Sequence, residues 1–300
     1  MAIRKSGGDG GWRVSLAVPV RHRDLFAAAL EGLGLAVTVG AGRRVRLRGY
    51  GAGSCDRASV AAALAVAAAA AGIAPPDIAV ARLPATDWAA RINRDFPPIQ
   101  VGRFFLHGAH VARPPPRGAI ALRIDAGAAF GTGGHESTRL CLRALLRVAR
   151  RRRVRRVLDM GTGAGVLAIA ATKLTGATAL AIDNDASAVA VARDNAAANG
   201  VGALVRVAAG DGYRADALTG EAPFDLVFEN ILARPVRRMA PALARRLAPG
   251  GVAVLSGFVA RDADRVEAAH VAQGLVAAGR LREGDWVAVM MRRPRPAWRR

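Results

Sequence analysis

The chain has 300 residues, 52% of them apolar, and its 44 basic against 23 acidic side chains give a formal net charge of +21. This apolar content suffices for one large domain or two smaller ones with buried cores, and no stretch has the roughly 18 uninterrupted apolar residues of a membrane span. The two cysteines, Cys55 and Cys141, are far apart and the first residues lack the apolar core of a signal peptide, so we expect a cytoplasmic protein without a disulfide framework.

Six short elements are predicted between residues 12 and 83. They are the strand "WRVSLAVPV", the helix "RDLFAAALEGLG", the strands "LAVTV" and "RVRLRGY", an alanine-rich helix and the strand "DIAVARL". The order β-α-β-β-α-β is that of a ferredoxin-like α+β unit. Because the segment holds no cluster of histidines, cysteines or carboxylates, we interpret residues 1–84 as a substrate-recognition domain, with a purely structural appendage as the alternative.

Residues 85–118 have a different character. Prolines at positions 97, 98 and 114–116 interrupt the segment, which we predict to be a linker helix followed by a small pair of strands.

From residue 119 to residue 300 the pattern alternates between strand and helix. Such alternation predicts a doubly wound, Rossmann-like α/β sheet with helices on both faces. Ligands bind these sheets outside the carboxyl ends of the strands, which here fall at Asp159, Asp183, Asp211 and Asn230.

A glycine-rich loop, "AFGTGGHESTRLCL" (residues 129–142), precedes the first strand of this domain. We predict that its residues Phe130, Thr132 and His135 belong to a lid over the ligand. Thr138, near the start of the following helix, is a candidate for binding a ligand carboxylate, since helix N-termini favour anions. His135 is more typical of a structural hydrogen-bonding residue than of a catalyst, and a single histidine among scattered acids predicts no metal site.

The densest basic run is "RVARRRRVRR", residues 147–156. Only two of the chain's basic residues are lysines, which is typical of a GC-rich genome, so the charge can arise without a binding purpose. A field this positive nevertheless attracts polyanions, nucleic acid above all. A solvated helix end and a nucleic-acid contact both stay open for this run.

The stretch "VLDMGTGAGVLAIA" (residues 157–170) is typical of a turn from a buried strand into a helix. Gly161, Gly163 and Gly165 have the spacing G-x-G-x-G, which differs from the G-x-G-x-x-G of dinucleotide sites. Asp159, just ahead of them, favours a ligand with a positive end. S-adenosylmethionine has an ammonium, a sulfonium and no phosphate, so it fits better than a dinucleotide, although a tight turn without any ligand is the alternative.

Two further aspartates are candidates for binding an adenosine. Asp183 ends the second strand, where a carboxylate can accept hydrogen bonds from both ribose hydroxyls, in NAD and S-adenosylmethionine alike. The competing role, capping the next helix, fits Asp185 better. Asp211, after the third strand, is placed to reach the adenine amino group, unless it only forms an Asp-Gly turn.

Asn230 ends the fourth strand, in "FENILARP". An amide there can accept hydrogen bonds from a substrate amine and align its lone pair with a methyl donor, which makes Asn230 the catalytic candidate. The attacking amine must be neutral. The alternative is that Asn230 only caps the end of the strand.

Several segments in this order resemble the ribosomal protein L11 methyltransferases (PrmA). Among them are "AFGTGGHESTRLCL", "VLDMGTGAGVLAIAA", "AIDNDASAVAVARDNAAANGV" and "FENILARPVRRMAPALARRLAPGGVAVLSGF", and the likeness runs from about Asp87 to Arg293. The pattern FGTGxHxxT ahead of the glycine turn, with NILA behind it, is far more specific than the glycines alone.

The resemblance implies a two-domain enzyme that uses S-adenosylmethionine and grips a ribosomal protein with its small domain. It would methylate lysine side chains and the N-terminal amine of L11, in the cytoplasm, as a monomer that requires neither nucleic acid nor a membrane. Motif by motif, Thr138, Gly161, Asp183 and Asn230 fall on the family's cofactor-contacting positions.

The sequence departs from the family at three places. Glu229 stands where the family has a small apolar residue; it either points into the flank of the sheet or adds a negative charge beside the substrate amine. "HEST" and "GAG" replace the usual H-P-T-T and G-S-G. Alternatives are lysine methylation of another protein, such as an electron-transfer flavoprotein subunit, a non-catalytic S-adenosylmethionine-binding protein on the ribosome and, mainly on charge, RNA methylation.

Overall fold

The computed structural model describes residues 11–40, 44–52, 55–83, 98–109, 111, 114–125 and 135–295. The chain forms two compact units, Met1–Pro97 and Pro98–Arg300. The helix predicted at the start of the 85–118 linker lies outside the described residues, as do Phe130 and Thr132 of the predicted lid.

The first unit has the predicted order of elements around one antiparallel sheet. Its elements are β1 (Gly11–Pro19), α1 (Arg23–Glu31), β2 (Ala36–Val39), β3 (Arg44–Ala52), α2 (Arg57–Ala71) and β4 (Ala79–Leu83). The sheet order is β2-β3-β1-β4, and every neighbouring pair is antiparallel. Alternate apolar side chains of β1 pack against Phe26 and Leu30 of α1 and Leu64 of α2, which gives this unit a core of its own.

The second unit begins with a small three-stranded sheet of order β5-β6-β7. Its strands are β5 (Ile99–Val101), β6 (Phe104–His107) and β7 (Ile120–Arg123). The antiparallel β5–β6 pair is the small strand pair expected in the linker segment.

The rest of the second unit consists of a seven-stranded sheet and, among the described residues, five α-helices. The helices are α3 (Glu136–Arg151), α4 (Val166–Thr175), α5 (Ala186–Ala198), α6 (Ala233–Arg246) and α7 (Ala263–Val271). The strands are β8 (Arg156–Met160), β9 (Thr178–Asp183), β10 (Val205–Ala209), β11 (Phe224–Asn230), β12 (Leu247–Val259), β13 (Val276–Glu283) and β14 (Trp286–Arg292). In the order β10-β9-β8-β11-β12-β14-β13, the first five strands run parallel and the last two antiparallel to their neighbours.

Helices cover both faces of this sheet, as the doubly wound prediction requires. One core cluster joins the sheet to α3, α4 and α5, and a second joins the opposite face to α6 and α7. Because both faces are covered, the central strands are almost continuously apolar and stay buried, as in β8 and β9. The polar residues at the strand ends are therefore gathered at one edge of the sheet.

No helix among the described residues is long and apolar enough to cross a membrane.

Candidate active site

The turn between β8 and α4 is built on glycines with left-handed backbone. Gly161 and Gly163 have φ values of 72° and 54°, which other residues rarely adopt. A Cβ atom on Gly161 would lie 2.5 Å from Cγ2 of Ile231, so the turn also packs too closely to admit a side chain there. The backbone N–H groups of Gly161 and Thr162 donate to the carbonyl of Ile182 at 2.8 and 3.0 Å, which ties the turn to β9.

Asp159 fastens this turn from inside the core. Its side chain is 1% exposed, and its Oδ2 accepts hydrogen bonds from Thr162 Oγ1 at 2.6 Å and from the N–H of Ala168 at 3.1 Å. Oδ1 is buried without a partner among the described residues. Burial raises the pKa of Asp159 to about 6, while the two hydrogen bonds act in the opposite direction. These hydrogen bonds give Asp159 a structural role. Only its Oδ1 is left for the ligand contact predicted from the sequence.

Asp183 lies directly across the turn from Gly163. Its Oδ2 accepts the N–H of Gly163 at 2.8 Å, and its Oδ1 accepts the N–H of Asp185 at 3.1 Å. A carboxylate can accept about four hydrogen bonds, so both oxygens keep capacity for ribose hydroxyls. Asp185 caps α5 by accepting from the N–H of Ser187 at 2.8 Å, as the sequence indicated.

Asp211 lies in the same region but is open to solvent. The N–H of Gly210 donates to the carbonyl of Asp183 at 2.9 Å, which places the end of β10 beside the end of β9. The Asp211 side chain is 83% exposed and has a 3.8 Å ion pair with Arg214. It also starts a short 3-10 helix at Gly212, so the turn that the sequence offered as the alternative is present.

Asn230, at the end of β11, contacts Thr138. Its Nδ2 donates to Thr138 Oγ1 at 3.2 Å, while its Oδ1 is buried and has no partner among the described residues. Thr138 is 5% exposed in the first turn of α3. An amide oxygen that is held in place with no donor is ready to accept a hydrogen bond from a ligand or substrate.

His135 is the N-cap of α3. Its Nδ1 accepts a hydrogen bond from the N–H of Ser137 at 3.2 Å, and its ring meets Trp286 edge-on with 4.3 Å between centroids. These contacts support the structural role that the sequence favoured for His135. Among the described residues, no group of three or more histidine, cysteine and acidic side chains could hold a metal ion.

Glu229 points to the opposite face of the sheet from Asn230. It is fully buried, and its Oε1 accepts a hydrogen bond from Tyr213 Oη at 2.8 Å, whereas Oε2 has no partner among the described residues. Burial raises the pKa of Glu229 to about 8, and the Tyr213 hydrogen bond lowers it. Of the two orientations considered for Glu229, the structure has the one in the flank of the sheet.

Three further residues of the site were not singled out by the sequence. Thr162 and Tyr213 hold Asp159 and Glu229, as described above. Asn195 in α5 is 2% exposed; its Nδ2 donates to the carbonyl of Ala164 at 2.9 Å and its Oδ1 accepts the N–H of Asp125 at 3.0 Å. Asn195 thus joins the glycine turn to the segment that leads into the predicted lid. The sequence signal that could have identified Asn195 is an asparagine on the otherwise apolar face of a helix.

The described residues fit the expected cofactor, S-adenosylmethionine. A close-packed glycine turn, the Asp183 carboxylate and the unpaired Oδ1 of Asn230 lie along the carboxyl ends of β8, β9 and β11. The donors and acceptors needed for a ribose and a small cationic group are therefore on one edge of the sheet.

Comparisons with known proteins identify one family. Residues 39–294 match a family model described as ribosomal protein L11 methyltransferase (PrmA). Two relatives named ribosomal protein L11 methyltransferase are those of Rhizobium meliloti (strain 1021), 46% identical over 70% of this chain and 72% of that protein, and of Sinorhizobium fredii, 47% identical over 69% and 71%. A crystal structure of ribosomal protein L11 methylase from Lactobacillus delbrueckii subsp. bulgaricus matches with a TM-score of 0.59 and 27% identity, over 66% of this chain and 100% of that one.

Proposed function

Because the chain belongs to the ribosomal protein L11 methyltransferase (PrmA) family, we propose that it methylates amines of ribosomal protein L11, namely lysine side chains and the N-terminal amine. The enzyme is a methyltransferase that depends on S-adenosylmethionine. The observation that carries the proposal is the unpaired amide oxygen of Asn230, held by Thr138 next to the glycine turn.

The cofactor would lie along the carboxyl edge of the sheet. Asp183, whose oxygens keep acceptor capacity beside the left-handed glycines, would accept the ribose hydroxyls. The backbone of Gly161 and Gly163 would line the ligand, Asp211 would receive the adenine amino group, and Thr138 and Oδ1 of Asp159 would bind the amino-acid end. When bound, S-adenosylmethionine supplies a methyl group on a positively charged sulfur.

The catalytic residue is Asn230. Its Oδ1 accepts a hydrogen bond from the incoming amine and fixes the direction of the nitrogen lone pair, so that much of the rate comes from positioning. A lysine amine with a reference pKa of about 10.4 must first lose a proton. Glu229 faces the other side of the sheet and does not add a negative charge beside the amine, which would have favoured the unreactive ammonium.

The organisation of the chain follows the same proposal. Residues 1–84 recognise the ribosomal protein, residues 85–118 connect, and residues 119–300 bind the cofactor and carry the reaction. The lid assigned from the sequence to Phe130, Thr132 and His135 is part of the same proposal. The enzyme acts as a monomer in the cytoplasm, and catalysis on the free substrate requires no nucleic acid.

The test is methylation of purified substrate. The chain, S-adenosylmethionine and recombinant L11 are incubated and L11 is weighed by mass spectrometry; stepwise gains of one methyl group are expected. A second arm contains an electron-transfer flavoprotein subunit, and a third measures cofactor binding by calorimetry. If only the flavoprotein subunit gained methyl groups, that subunit and not L11 would be the substrate. Cofactor binding without any methyl transfer would indicate a non-catalytic protein.

A further inference from the structure

A cleft of about 350 Å³ lies away from the cofactor edge, where the chain enters β8 and β9. Its lining includes the apolar side chains of Leu146, Val154 and Leu174 and four arginines, Arg103, Arg150, Arg152 and Arg153. The parallel strands begin at this edge of the sheet and end at the edge that carries Asp159 and Asp183, so the cleft and the proposed active site are at opposite ends of the strands.

The local structure brings these arginines together. Gly102 has φ 57°, and a Cβ atom on it would lie 2.6 Å from Cδ1 of Leu146, so the β5–β6 turn packs directly against α3. This close contact places Arg103 beside the end of α3. Arg150 lies in the last turn of that helix, where a cation is favoured by the helix dipole.

Three of the four cleft arginines have no carboxylate partner among the described residues. Within the described part of the chain, Arg103, Arg150 and Arg153 are exposed and take part in none of the ion pairs. The nearby carboxylate of Asp225 accepts the backbone N–H groups of Arg155 and Arg156 at 2.8 and 3.0 Å. Arg152 is different, because its guanidinium donates to the carbonyl of Gly250 and interacts with the charge of Asp225. The guanidinium groups of Arg103, Arg150 and Arg153 are therefore the ones left to bind an external anion.

Further arginines extend the charge beyond the cleft. The pKa of the Arg152 guanidinium is lowered first by burial and then by the positive charges of Arg292 and Arg295. Arg151 and Arg155 are exposed on the same connection. A GC-rich genome raises the number of arginines in a protein, but it does not explain why they are concentrated around one concave site.

We propose that this arginine cleft is a docking site for the phosphate backbone of RNA. Guanidinium forks bind phosphate oxygens in pairs, and none of the described residues that line the cleft is aromatic, which favours backbone contact over base stacking. An RNA strand presents a charge at every nucleotide and so suits a run of arginines better than an acidic peptide. The choice of RNA over DNA rests on the proposed function, because the substrate is a ribosomal protein.

The test uses fluorescence anisotropy with a fluorescein-labelled RNA hairpin and a sodium chloride titration. The variant Arg150→Glu/Arg153→Glu is compared with Arg261→Glu/Arg265→Glu, which makes the same change in net charge at exposed positions elsewhere in the second unit. Each lost phosphate contact reduces the slope of log affinity against log salt concentration by about 0.7 to 0.9 in magnitude. The cleft variant changes two arginines, so its slope is expected to be about 1.5 smaller in magnitude and its affinity lower by about tenfold or more. The control variant is expected to stay within about threefold of the wild type.

Two further measurements keep the result interpretable. Arg150→Ala/Arg153→Ala avoids placing acids at the helix end and is expected to weaken RNA binding in the same direction, with an unchanged melting temperature. Methylation of free L11 is expected to be the same in all variants, so failure of the RNA site and failure of the proposed function give different results. Equal weakening by the cleft and control variants, or competition by polyglutamate at matched charge, would each overturn the proposal.

Discussion

Asn230 and Thr138 are 92 positions apart, yet the amide Nδ2 of the first donates to Oγ1 of the second at 3.2 Å. The contact joins the end of β11 to the first turn of α3, and it leaves the amide oxygen of Asn230 facing no protein donor among the described residues. Since the nitrogen of the amide is engaged, its orientation is fixed, and the oxygen is the part of the group left for an incoming amine.

Replacing Asn230 by alanine is expected to lower kcat about 100-fold, because the amine loses the group that aligns it. Cofactor affinity should change little, since the glycine turn and Asp183 remain. Thr138→Val removes the hydroxyl partner of Asn230 together with the proposed contact to the amino-acid end of the cofactor, so it should cause a smaller loss of kcat and weaker cofactor binding, and Thr138→Ser should restore both. Steady-state kinetics and calorimetry measure these effects; an Asn230→Ala enzyme with near-normal kcat would remove the catalytic assignment.

Asp183→Asn is expected to weaken S-adenosylmethionine binding by roughly 10- to 100-fold, since a hydrogen bond to a charged group is worth about 1.5 to 3 kcal/mol. The amide oxygen can still accept the N–H of Gly163, while the amide nitrogen cannot accept the N–H of Asp185, so the turn should stay folded with the loss of one hydrogen bond. The matched control is Asp185→Asn, two residues away, because asparagine caps a helix as well as aspartate does. Equal losses of affinity in both variants, measured by calorimetry, would contradict ribose recognition by Asp183.

Gly161→Ala is expected to reduce both stability and cofactor affinity. The alanine would have a φ of 72° and its Cβ would overlap Cγ2 of Ile231. Gly176→Ala is the control, since Gly176 has φ 71° with no atom within 4 Å of its Cβ position, so only the backbone strain of about 1 to 2 kcal/mol applies there. Urea unfolding should show the larger loss for Gly161→Ala, and Ile231→Ala in the same chain should recover part of it. Equal losses would show that the close contact has no energetic weight.

The buried carboxyl of Glu229 should make stability depend on pH. Its pKa is raised from 4.5 to about 8 by burial, so the folded chain keeps a proton that the unfolded chain releases. This group is therefore expected to lower the free energy of unfolding by about 1.4 kcal/mol per pH unit as the pH rises through that window. Asp159, with a pKa of about 6, acts in the same direction below pH 6.

Glu229→Gln isolates the effect of Glu229. The glutamine stays neutral and still accepts the Tyr213 hydrogen bond, so the variant should match the wild type near pH 4.5 and exceed its stability above pH 8. Tyr213→Phe removes the bond that lowers the pKa of Glu229 and should extend the slope to higher pH. Urea unfolding at several pH values measures both, and parallel pH profiles for wild type and Glu229→Gln would contradict a neutral buried carboxyl.

Local patterns predicted a large part of this molecule. The glycine turn and the strand ends at Asp183 and Asn230 follow from short stretches whose spacing requires one backbone geometry, and the structure has them there. The edge strand β13 was not predicted, because its sequence "VAAGRLRE" is mostly exposed and has no apolar run. A strand of this kind depends on pairing with β14 rather than on its own residues.

Partners that come from distant elements could not be predicted from the sequence. Tyr213 reaches Glu229 from another element, and Asn195 reaches the glycine turn from α5. The orientation of Glu229 depends on which face of β11 packs against which helices, and that is decided only when the whole sheet is assembled.

The place of β11 in the sheet has a consequence for the order in which the site loses structure. β11 is the fourth of seven strands and pairs with β8 on one side and β12 on the other, whereas β10 is at the margin. Amide hydrogens of β11 should therefore exchange with solvent only in the rarest and largest openings, and those of β10 in smaller, more frequent ones. Asn230, the residue proposed to orient the amine, would then remain in place during fluctuations of β10, beside which the adenine is proposed to bind, so cofactor exchange need not disturb the proposed amine-binding group.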